Sequence, residues 1–263
     1  MPSLVSQSKS ALKGQIKVPG DKSVSHRSLM LSALAVGESR ISGLLEGEDV
    51  LATADAMRAM GAKIEKLECG DWVVNGVGVG GLLQPDDIID MGNSGTSCRL
   101  LMGLMASHDI TVTVTGDASL RGRPMKRVIT PLSEVGAEFT ARDEIYLPIT
   151  IKGTDTPMPI DYTTPMASAQ VKSAVMLAGL NTPGITTVRE KISTRDHTER
   201  MLTAMGAKVT TSKEGGYYVI RLEGQPELKP ISLEVPGDIS SSAFLLVAAS
   251  IIPGSDILSL IHI

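Results

Sequence analysis

The chain repeats itself with a period of about 70 residues, and this repetition restricts the fold more than any other feature of the sequence. Segments rich in small and hydroxyl residues, each running into an apolar helical stretch, start 72, 74 and 71 residues apart. They begin at Gly20, Gly92, Met166 and Gly237. A second segment recurs in the same phase around Gly61, Gly136 and Gly206, and predicts a helix that ends at a glycine and leads into a strand. Because two different segments recur together, chance similarity is the weaker interpretation.

Each repeat contains two helical segments separated by β-rich stretches such as SRISGLL and WVVNGVGV. The order strand–helix–strand–helix–strand–strand, βαβαββ, fits this pattern. We therefore expect an α/β (α+β) protein with one complete domain of three βαβαββ units over 20–235. Because a fourth unit starts but its later elements never arrive, we expect 1–19 and 236–263 to form the remnant of a truncated second domain.

Composition excludes several classes of function. Aromatic residues make up 3% of the chain and the net charge is −4, which argues against a nucleic-acid surface. The two cysteines, Cys69 and Cys98, lack CxxC spacing, so we expect a reduced, cytoplasmic protein. No apolar stretch reaches membrane-spanning length, so no membrane partner is expected. The four histidines are scattered, and we expect neither a metal nor a cofactor.

The first repeated segment, GDKSVSHRS, crowds Lys22, Ser23, Ser25 and Arg27 around a predicted helix start. A helix N-terminus offers free N–H groups and the positive end of the helix dipole, so it can bind phosphate or carboxylate. The alternative is that Ser23 or Ser25 simply caps the helix. Capping requires neither cation, however, and the pair of cations favours an anion-binding loop.

The second and third segments vary this arrangement. GNSGTSCR supplies Asn93, Thr96 and an arginine, and Gly95 allows a ligand to approach the backbone closely. PMASAQVKSA supplies Gln170, and has a lysine where the first two segments have arginine. Without the first two segments, this third one is typical of an ordinary capped helix.

Two further runs carry cations. RGRPMKR, from Arg121 to Arg127, is typical of a solvated charged face, but its proline also favours a rigid turn that presents arginines such as Arg123 to an anion. The run alone does not decide between these interpretations. In TRDHTER, which contains Arg195, we favour a helix start capped by Asp196 or Thr198.

Two apparent motifs are set aside. GVGVGG, from Gly76 to Gly81, matches the spacing of a dinucleotide-binding loop, but no apolar helix follows to receive a pyrophosphate. We interpret it as a glycine-rich turn. Cys98 stands beside an apolar helix start and is predicted to be a small buried residue rather than a nucleophile.

Taken together, the motifs resemble those of the 5-enolpyruvylshikimate-3-phosphate synthase family. The resemblance is carried by PGDKSVSHRSLML, MGNSGTSCRL, GDASLRGRPM, PMASAQVKSAVMLAGLNTPGITTV, TRDHTERML and VPGDISSSAF. It extends over almost the whole chain, from about residue 12 to 257. The segments SCRL and TRDHTE are similar to those of a bacterial class noted for members that tolerate glyphosate, an inhibitor of this family.

The resemblance implies an enolpyruvyl-transferase fold and the transfer of an enolpyruvyl group from phosphoenolpyruvate to the 5-hydroxyl of shikimate-3-phosphate, with release of phosphate. This step belongs to the biosynthesis of chorismate and the aromatic amino acids. The implied partners are these two small molecules, and the full-length protein is expected to be a monomer. The family's general acid and base are expected in the C-terminal half.

The resemblance also implies roles for individual residues. Lys22 lies between the two substrates and contacts both, and it is the catalytic candidate. Arg123 pairs with phosphoenolpyruvate, and the loop of Gly95 lies against it. Gln170 reaches both substrates. The residues implied to bind substrate are Lys22, Ser23, Arg27, Asn93, Gly95, Thr96, Arg123, Ser168, Ala169, Gln170 and Arg195.

Two rivals are considered. The UDP-N-acetylglucosamine enolpyruvyl transferase shares the implied fold, but it has Lys-Asn in the first loop and a cysteine where this chain has RGRP. The second rival is a truncated, catalytically inactive chain that binds the anionic substrates weakly at most. A turnover assay separates this possibility from an active enzyme.

Overall fold

A computed structural model describes residues 10–260, and within this range the chain forms eight helices and fourteen strands. In chain order these are β1 (Lys13–Lys17), α1 (Lys22–Ala33), β2 (Glu38–Ser42), α2 (Glu48–Ala59), β3 (Lys63–Lys66), β4 (Trp72–Asn75), β5 (Ile89–Asp90), α3 (Gly95–Ala106), β6 (Thr111–Thr115), α4 (Ala118–Arg121), α5 (Lys126–Val135), β7 (Glu138–Arg142), β8 (Tyr146–Lys152), β9 (Asp161–Thr163), α6 (Ala169–Leu180), β10 (Ile185–Glu190), α7 (His197–Ala204), β11 (Val209–Glu214), β12 (Tyr217–Glu223), β13 (Ser232–Glu234), α8 (Ile239–Ile251) and β14 (Asp256–Leu260).

Three four-stranded sheets share one topology. Their strand orders are β13-β2-β4-β3, β5-β6-β8-β7 and β9-β10-β12-β11. In each sheet the first pair of strands is parallel and the next two pairings are antiparallel. A parallel pair needs a crossover connection, and in the second and third sheets α3 and α6 supply it. The predicted α/β fold class is confirmed.

The first sheet is assembled differently from the prediction. Its edge strand does not precede α1 in the chain but is β13, which pairs in parallel with β2 from Ser232 opposite Arg40 to Glu234 opposite Ser42. The second unit also contains the short helix α4, which the repeat did not predict. The proposed domain boundary, 20–235, encloses all three sheets and stays a prediction.

The ends of the second helices follow the predicted pattern. Gly136 directly follows α5, and Gly61 and Gly206 each follow α2 and α7 after one further residue; their φ angles are 117°, 103° and 95°. A residue with a side chain rarely adopts such angles, so glycine lets the chain leave each helix and enter the next strand.

Three helices form the centre of the molecule. In α3 every residue except Thr96 is buried, in α6 every residue after Gln170, and in α1 every residue after Val24. The core is built from Leu, Met, Val, Ile and Ala, and Trp72 is buried in it. Burial of these three helices along their length leaves their first turns as the parts available to a ligand.

A smaller layer, made of β1, β14 and α8, lies beside the three sheets. β1 pairs in parallel with β14 from Lys13 opposite Asp256. In α8, Phe244 is 84% exposed and Ile251 is 72% exposed, so this helix presents an apolar face to solvent. Among residues 10–260 no helix is long and apolar enough to cross a membrane.

The glycine-rich run at 76–81 is a turn, as predicted. It follows β4 directly, and the next helix, α3, begins only at Gly95. A dinucleotide-binding loop needs a helix at this point, so the motif match carries no function.

Candidate anion-binding site

The first turn of α1 carries Lys22 and Ser23. Asp21 caps this helix, because its carboxylate accepts a hydrogen bond of 2.8 Å from a backbone N–H in the first turn. The alternative that Ser23 or Ser25 serves as the cap is therefore wrong. The ammonium group of Lys22 is paired with the carboxylate of Asp49 on α2. Asp49 was not predicted as a member of the site.

Arg27 lies one turn further along α1 and is 5% exposed. Its guanidinium donates three hydrogen bonds, from Nε to Thr198 Oγ1 (2.7 Å), from Nη2 to Ser173 Oγ (2.7 Å) and from Nη1 to the Ser23 carbonyl (3.0 Å). Burial, and then the nearby charge of Arg195, lower the pKa of Arg27 to about 10. Arg27 is thus a buried cation held between α1, α6 and α7.

The loop before α7 brings Arg195 to the same place, where its Nη1 donates to Ser23 Oγ at 3.0 Å. The favoured interpretation of TRDHTER as a simple capping sequence is wrong. Asp196 occupies the N-cap position, but its side chain makes no capping hydrogen bond and pairs with Arg200 at 2.7 Å. The hydroxyl of Thr198 does not cap the helix either, because it accepts the hydrogen bond from Arg27 Nε.

A second group of residues surrounds the first turn of α3. Ser94 caps the helix. Arg99, which is buried, donates from Nη1 to the Gly95 carbonyl (3.1 Å) and to Gln170 Oε1 (3.3 Å). Gln170 in turn donates from Nε2 to Thr96 Oγ1 at 3.1 Å. The first turns of α3 and α6 therefore meet through Gln170.

Arg123 lies beside this group. Its Nη2 donates to Asn93 Oδ1 (2.6 Å) and Ser119 Oγ (3.0 Å). A Cβ atom added at Gly95 would lie 3.2 Å from Nη1 of Arg123 and 2.9 Å from Nη1 of Arg99. The glycine thus leaves the space into which both guanidinium groups project.

The run RGRPMKR is partly a solvated charged face and partly a turn that presents arginines to the site. Arg123 and Arg127 join the site, and Arg127 Nη2 donates to Gln170 Oε1 at 2.8 Å. Arg121 is exposed and takes no part. At the start of α6, Ser168 caps the helix and Ala169 is its first residue. The predicted site residues therefore lie in the first two turns of α1, α3 and α6 or in loops that contact these turns.

The third loop does not contribute the cation that its sequence suggested. Lys172 is 2% exposed and its Nζ contacts the carboxylates of Glu190 (3.1 Å) and Glu199 (2.6 Å). The interpretation of Lys172 as the counterpart of the arginines in the first two loops is wrong, because its charge is neutralised inside the protein.

Five guanidinium groups in the site have no carboxylate within ion-pair distance among residues 10–260. They belong to Arg27, Arg99, Arg123, Arg127 and Arg195. Burial, and then Arg127, lower the pKa of Arg99 to about 10. Like charges that destabilise one another in this way favour the binding of anions, which offset the repulsion.

Sequence reasoning missed several residues of the site. Ser173 and Thr198 hold Arg27 but lie 146 and 171 residues away from it in the chain. Both lie in the quoted segments TRDHTER and PMASAQVKSA, but nothing in those segments points to Arg27, so only the tertiary fold shows their role. Arg127 was visible within a charged run, and no pattern separated it from Arg121.

Cys98 is buried, and burial raises the pKa of its thiol to about 12. The prediction that it is a small buried residue is confirmed. In the part of the chain that the structure describes, no group of three or more His, Cys, Asp or Glu side chains could hold a metal ion.

The three similar sheets and the basic first turns are consistent with the enolpyruvyl-transferase fold, and comparison with known proteins specifies the family. The family model described as EPSP synthase (3-phosphoshikimate 1-carboxyvinyltransferase) matches residues 6–259. The chain belongs to this family, and the resemblance read from the motifs is confirmed.

Individual relatives agree with this assignment. The 3-phosphoshikimate 1-carboxyvinyltransferase of Novosphingobium aromaticivorans is 64% identical over 94% of this chain and 56% of its own length. That of Zymomonas mobilis is 60% identical over 97% of this chain and 56% of its own length. The solved EPSP synthase of Acinetobacter baumannii superposes with a TM-score of 0.88 at 46% identity, covering 97% of this chain and 57% of that one. The chain thus spans little more than half the length of these relatives.

Proposed function

We propose that this chain provides the cationic substrate-binding surface of an enzyme that transfers the enolpyruvyl group of phosphoenolpyruvate to the 5-hydroxyl of shikimate-3-phosphate and releases phosphate. The observation that carries the proposal is the set of five unneutralised guanidinium groups around the first turns of α1, α3 and α6. The reaction is that of the family to which the chain belongs. Both substrates of that reaction are polyanions, which matches a surface of unneutralised cations.

The geometry supports two adjoining subsites. Arg27 and Arg195 both contact Ser23, and the three residues suit the phosphate of shikimate-3-phosphate. Ser168 and Ala169 begin the helix that continues this surface. Each guanidinium can offer paired N–H donors to phosphate oxygens, which is the geometry that phosphate recognition favours.

The second subsite suits phosphoenolpyruvate. Asn93, Gly95, Thr96 and Arg123 surround it, and Gln170 lies between it and the first subsite. Because Gly95 has no side chain, the guanidinium groups of Arg99 and Arg123 can lie against its backbone, where they can bind a carboxylate or phosphate. Lys22 stands at the edge of the first subsite, where its pairing with Asp49 can exchange for a substrate anion.

The cations explain what this surface contributes to the reaction. The 5-hydroxyl oxygen attacks C2 of phosphoenolpyruvate and loses its proton while C3 gains one, which gives a tetrahedral intermediate. Loss of a proton from C3 and of phosphate from C2 then forms the enol ether. Bringing two polyanions together is costly in water, and fixed cations both offset their repulsion and orient them.

A second candidate function is binding without turnover by this chain alone. Proton transfers at the hydroxyl and at C3 require a general acid and base. The carboxylates next to the cationic groups are engaged, since Asp49 pairs with Lys22 and Asp117 accepts hydrogen bonds from Asn93 and from the backbone of α4. If both carboxylates stay engaged when substrate is bound, this chain holds substrate and leaves the proton transfers to other residues.

Two measurements on the purified chain test the proposal. Titration calorimetry with shikimate-3-phosphate should show saturable binding that weakens as salt is added, because charge contacts dominate. Phosphate release should be followed in parallel with both substrates present. Binding without release supports the second candidate, binding with release supports the full activity, and the absence of saturable binding contradicts the proposed site.

A further inference from the structure

A buried ion-pair cluster lies behind the first subsite, and the reaction itself makes no use of it. Lys172 on α6 contacts Glu199 on α7 at 2.6 Å and Glu190 at the end of β10 at 3.1 Å. All three residues are at least nine-tenths buried. The cluster therefore ties three separate elements together at a single ammonium group.

The Lys172–Glu199 pair is connected to Arg27 through the residues next to the pair in the chain. Ser173 follows Lys172 in the chain and Thr198 precedes Glu199, and these two hydroxyls are the side-chain acceptors of the Arg27 guanidinium, each at 2.7 Å. The two hydroxyls also lie 2.8 Å from each other. Any change in the distance between α6 and α7 therefore separates the two groups that orient this guanidinium.

The Lys172–Glu190 pair controls the neighbouring loop. The Glu190 carboxylate accepts hydrogen bonds from the backbone N–H (3.3 Å) and hydroxyl (2.6 Å) of Thr194, whose carbonyl accepts one from Lys172 Nζ at 3.4 Å. The next residue is Arg195, which donates to Ser23 Oγ. The same ammonium group thus fixes the loop that carries the second guanidinium of the subsite.

Apolar packing supports α7 incompletely next to the cluster. A cavity of about 690 Å³ lies between α7 and strands β11 and β12, and Lys172, Glu190 and Glu199 line it together with residues such as Tyr218 and Ile220. Because dispersion contacts are lost across a cavity, the ion pairs carry more of the restraint on α7 than they would in a close-packed interface.

We propose that Lys172 is a positioning residue for Arg27, acting through its two buried ion pairs. The inference rests on the proposed function, because it assigns the oriented guanidinium to the shikimate-3-phosphate subsite. Removing the ammonium group leaves Glu190 and Glu199 without a cation, and two carboxylates in this position repel each other. Repulsion moves α7 and the loop of Arg195 away from α6.

Nuclear magnetic resonance of the arginine side chains tests the positioning directly and needs no ligand. The Arg27 Nε–H signal is assigned by its loss in Arg27→Lys. In Lys172→Met its exchange with solvent should accelerate about tenfold or more, because the Thr198 acceptor is displaced. Lys208→Met is the matched control, since Lys208 forms an exposed ion pair and its removal should leave the signal unchanged.

Two further variants keep the test decisive. Lys172→Arg retains the charge and should restore slow exchange of Arg27 Nε–H. Glu199→Gln retains the shape of the side chain and should accelerate that exchange even if Lys172→Met proves too unstable to purify. Unchanged exchange in a folded Glu199→Gln or Lys172→Met variant overturns the inference.

Calorimetry links the positioning to binding. In Lys172→Met and Glu199→Gln the Kd for shikimate-3-phosphate should rise about 10- to 100-fold, as expected when a contact is misplaced by about 1 Å. The Kd for phosphoenolpyruvate, which belongs to the other subsite, should stay within about twofold. Equal weakening of both ligands overturns the inference. Failure of the unmodified chain to bind shikimate-3-phosphate contradicts the proposed function instead, while the exchange measurement still decides the role of Lys172.

Discussion

Replacing Arg27 by methionine should separate stability from binding, because this guanidinium is costly to bury and valuable to a ligand. Burial and Arg195 lower its pKa from 12.5 to about 10. Each pKa unit corresponds to about 1.4 kcal/mol, so keeping the charge in the folded chain costs about 3 kcal/mol. Methionine removes that cost and fills much of the same space.

The substitution also removes three hydrogen bonds, to Thr198, Ser173 and the Ser23 carbonyl. Because the donor is charged, each contributes about 1.5–3 kcal/mol net, so the loss is about 4.5 kcal/mol or more. The two hydroxyls still have each other as partners at 2.8 Å. Relief of the burial cost offsets about 3 kcal/mol of this loss, so the free energy of unfolding at pH 7 should fall by about 1.5 kcal/mol or more.

Binding should respond very differently to Arg27→Met. A lost charge-assisted contact with a phosphate costs about 2–3 kcal/mol, which is a rise of about 30- to 150-fold in the Kd for shikimate-3-phosphate. Urea unfolding gives the stability and titration calorimetry gives the Kd. Arg200→Met is the matched control, because Arg200 is an exposed arginine on α7 paired with Asp196. An unchanged Kd in a folded Arg27→Met variant would refute the reasoning.

Four further substitutions or modifications have defined outcomes. Burial, and then Lys22, lower the pKa of His26 to about 4, so the unfolded chain binds an extra proton between pH 6.5 and 4; stability should fall by about 3 kcal/mol as pH drops through this window, and His26→Gln should remove that dependence in urea unfolding. Cys69 should react with iodoacetamide at pH 8 and the high-pKa thiol of Cys98 should not, so mass spectrometry should find one label on the native chain and two after denaturation. Arg123→Ala should raise the Kd for phosphoenolpyruvate about 30- to 150-fold and leave that for shikimate-3-phosphate nearly unchanged. Gly95→Ala crowds the space beside Arg123, so it should weaken glyphosate, a bulkier ligand, more than phosphoenolpyruvate in competition calorimetry, and equal weakening would count against that role.

The sequence predicted the fold well where the signals are local. The backbone angles at the ends of α2, α5 and α7 require glycine, so a single residue at each position is enough to predict the end of the helix. The first sheet was harder, because its edge strand β13 lies some 190 residues after β2 in the chain. A repeat pattern gives the order of the elements along the chain. It does not show which strands pair when they are so far apart in the sequence.

The candidate site shows the same limit. The basic loops were recognisable because cations beside a helix start have a direct physical meaning. The partners of those cations were not, since Asp49 and Ser173 reach the site only through the packing of α2 and α6. Lys172 lies near the start of its helix, as the two arginines do, but two buried glutamates neutralise its charge. Whether a cation is free depends on neighbours that only the fold brings together.

A crystal structure of this chain with bound shikimate-3-phosphate tests the central claim most directly. We expect the phosphate group to lie within hydrogen-bond distance of Ser23, Arg27 and Arg195, near the first turn of α1, with the ring directed toward Gln170. Arg27 should keep its contacts with α6 and α7 in that complex. Binding of the phosphate elsewhere, such as in the cavity between α7 and β12, would contradict the assignment of these cations to the substrate.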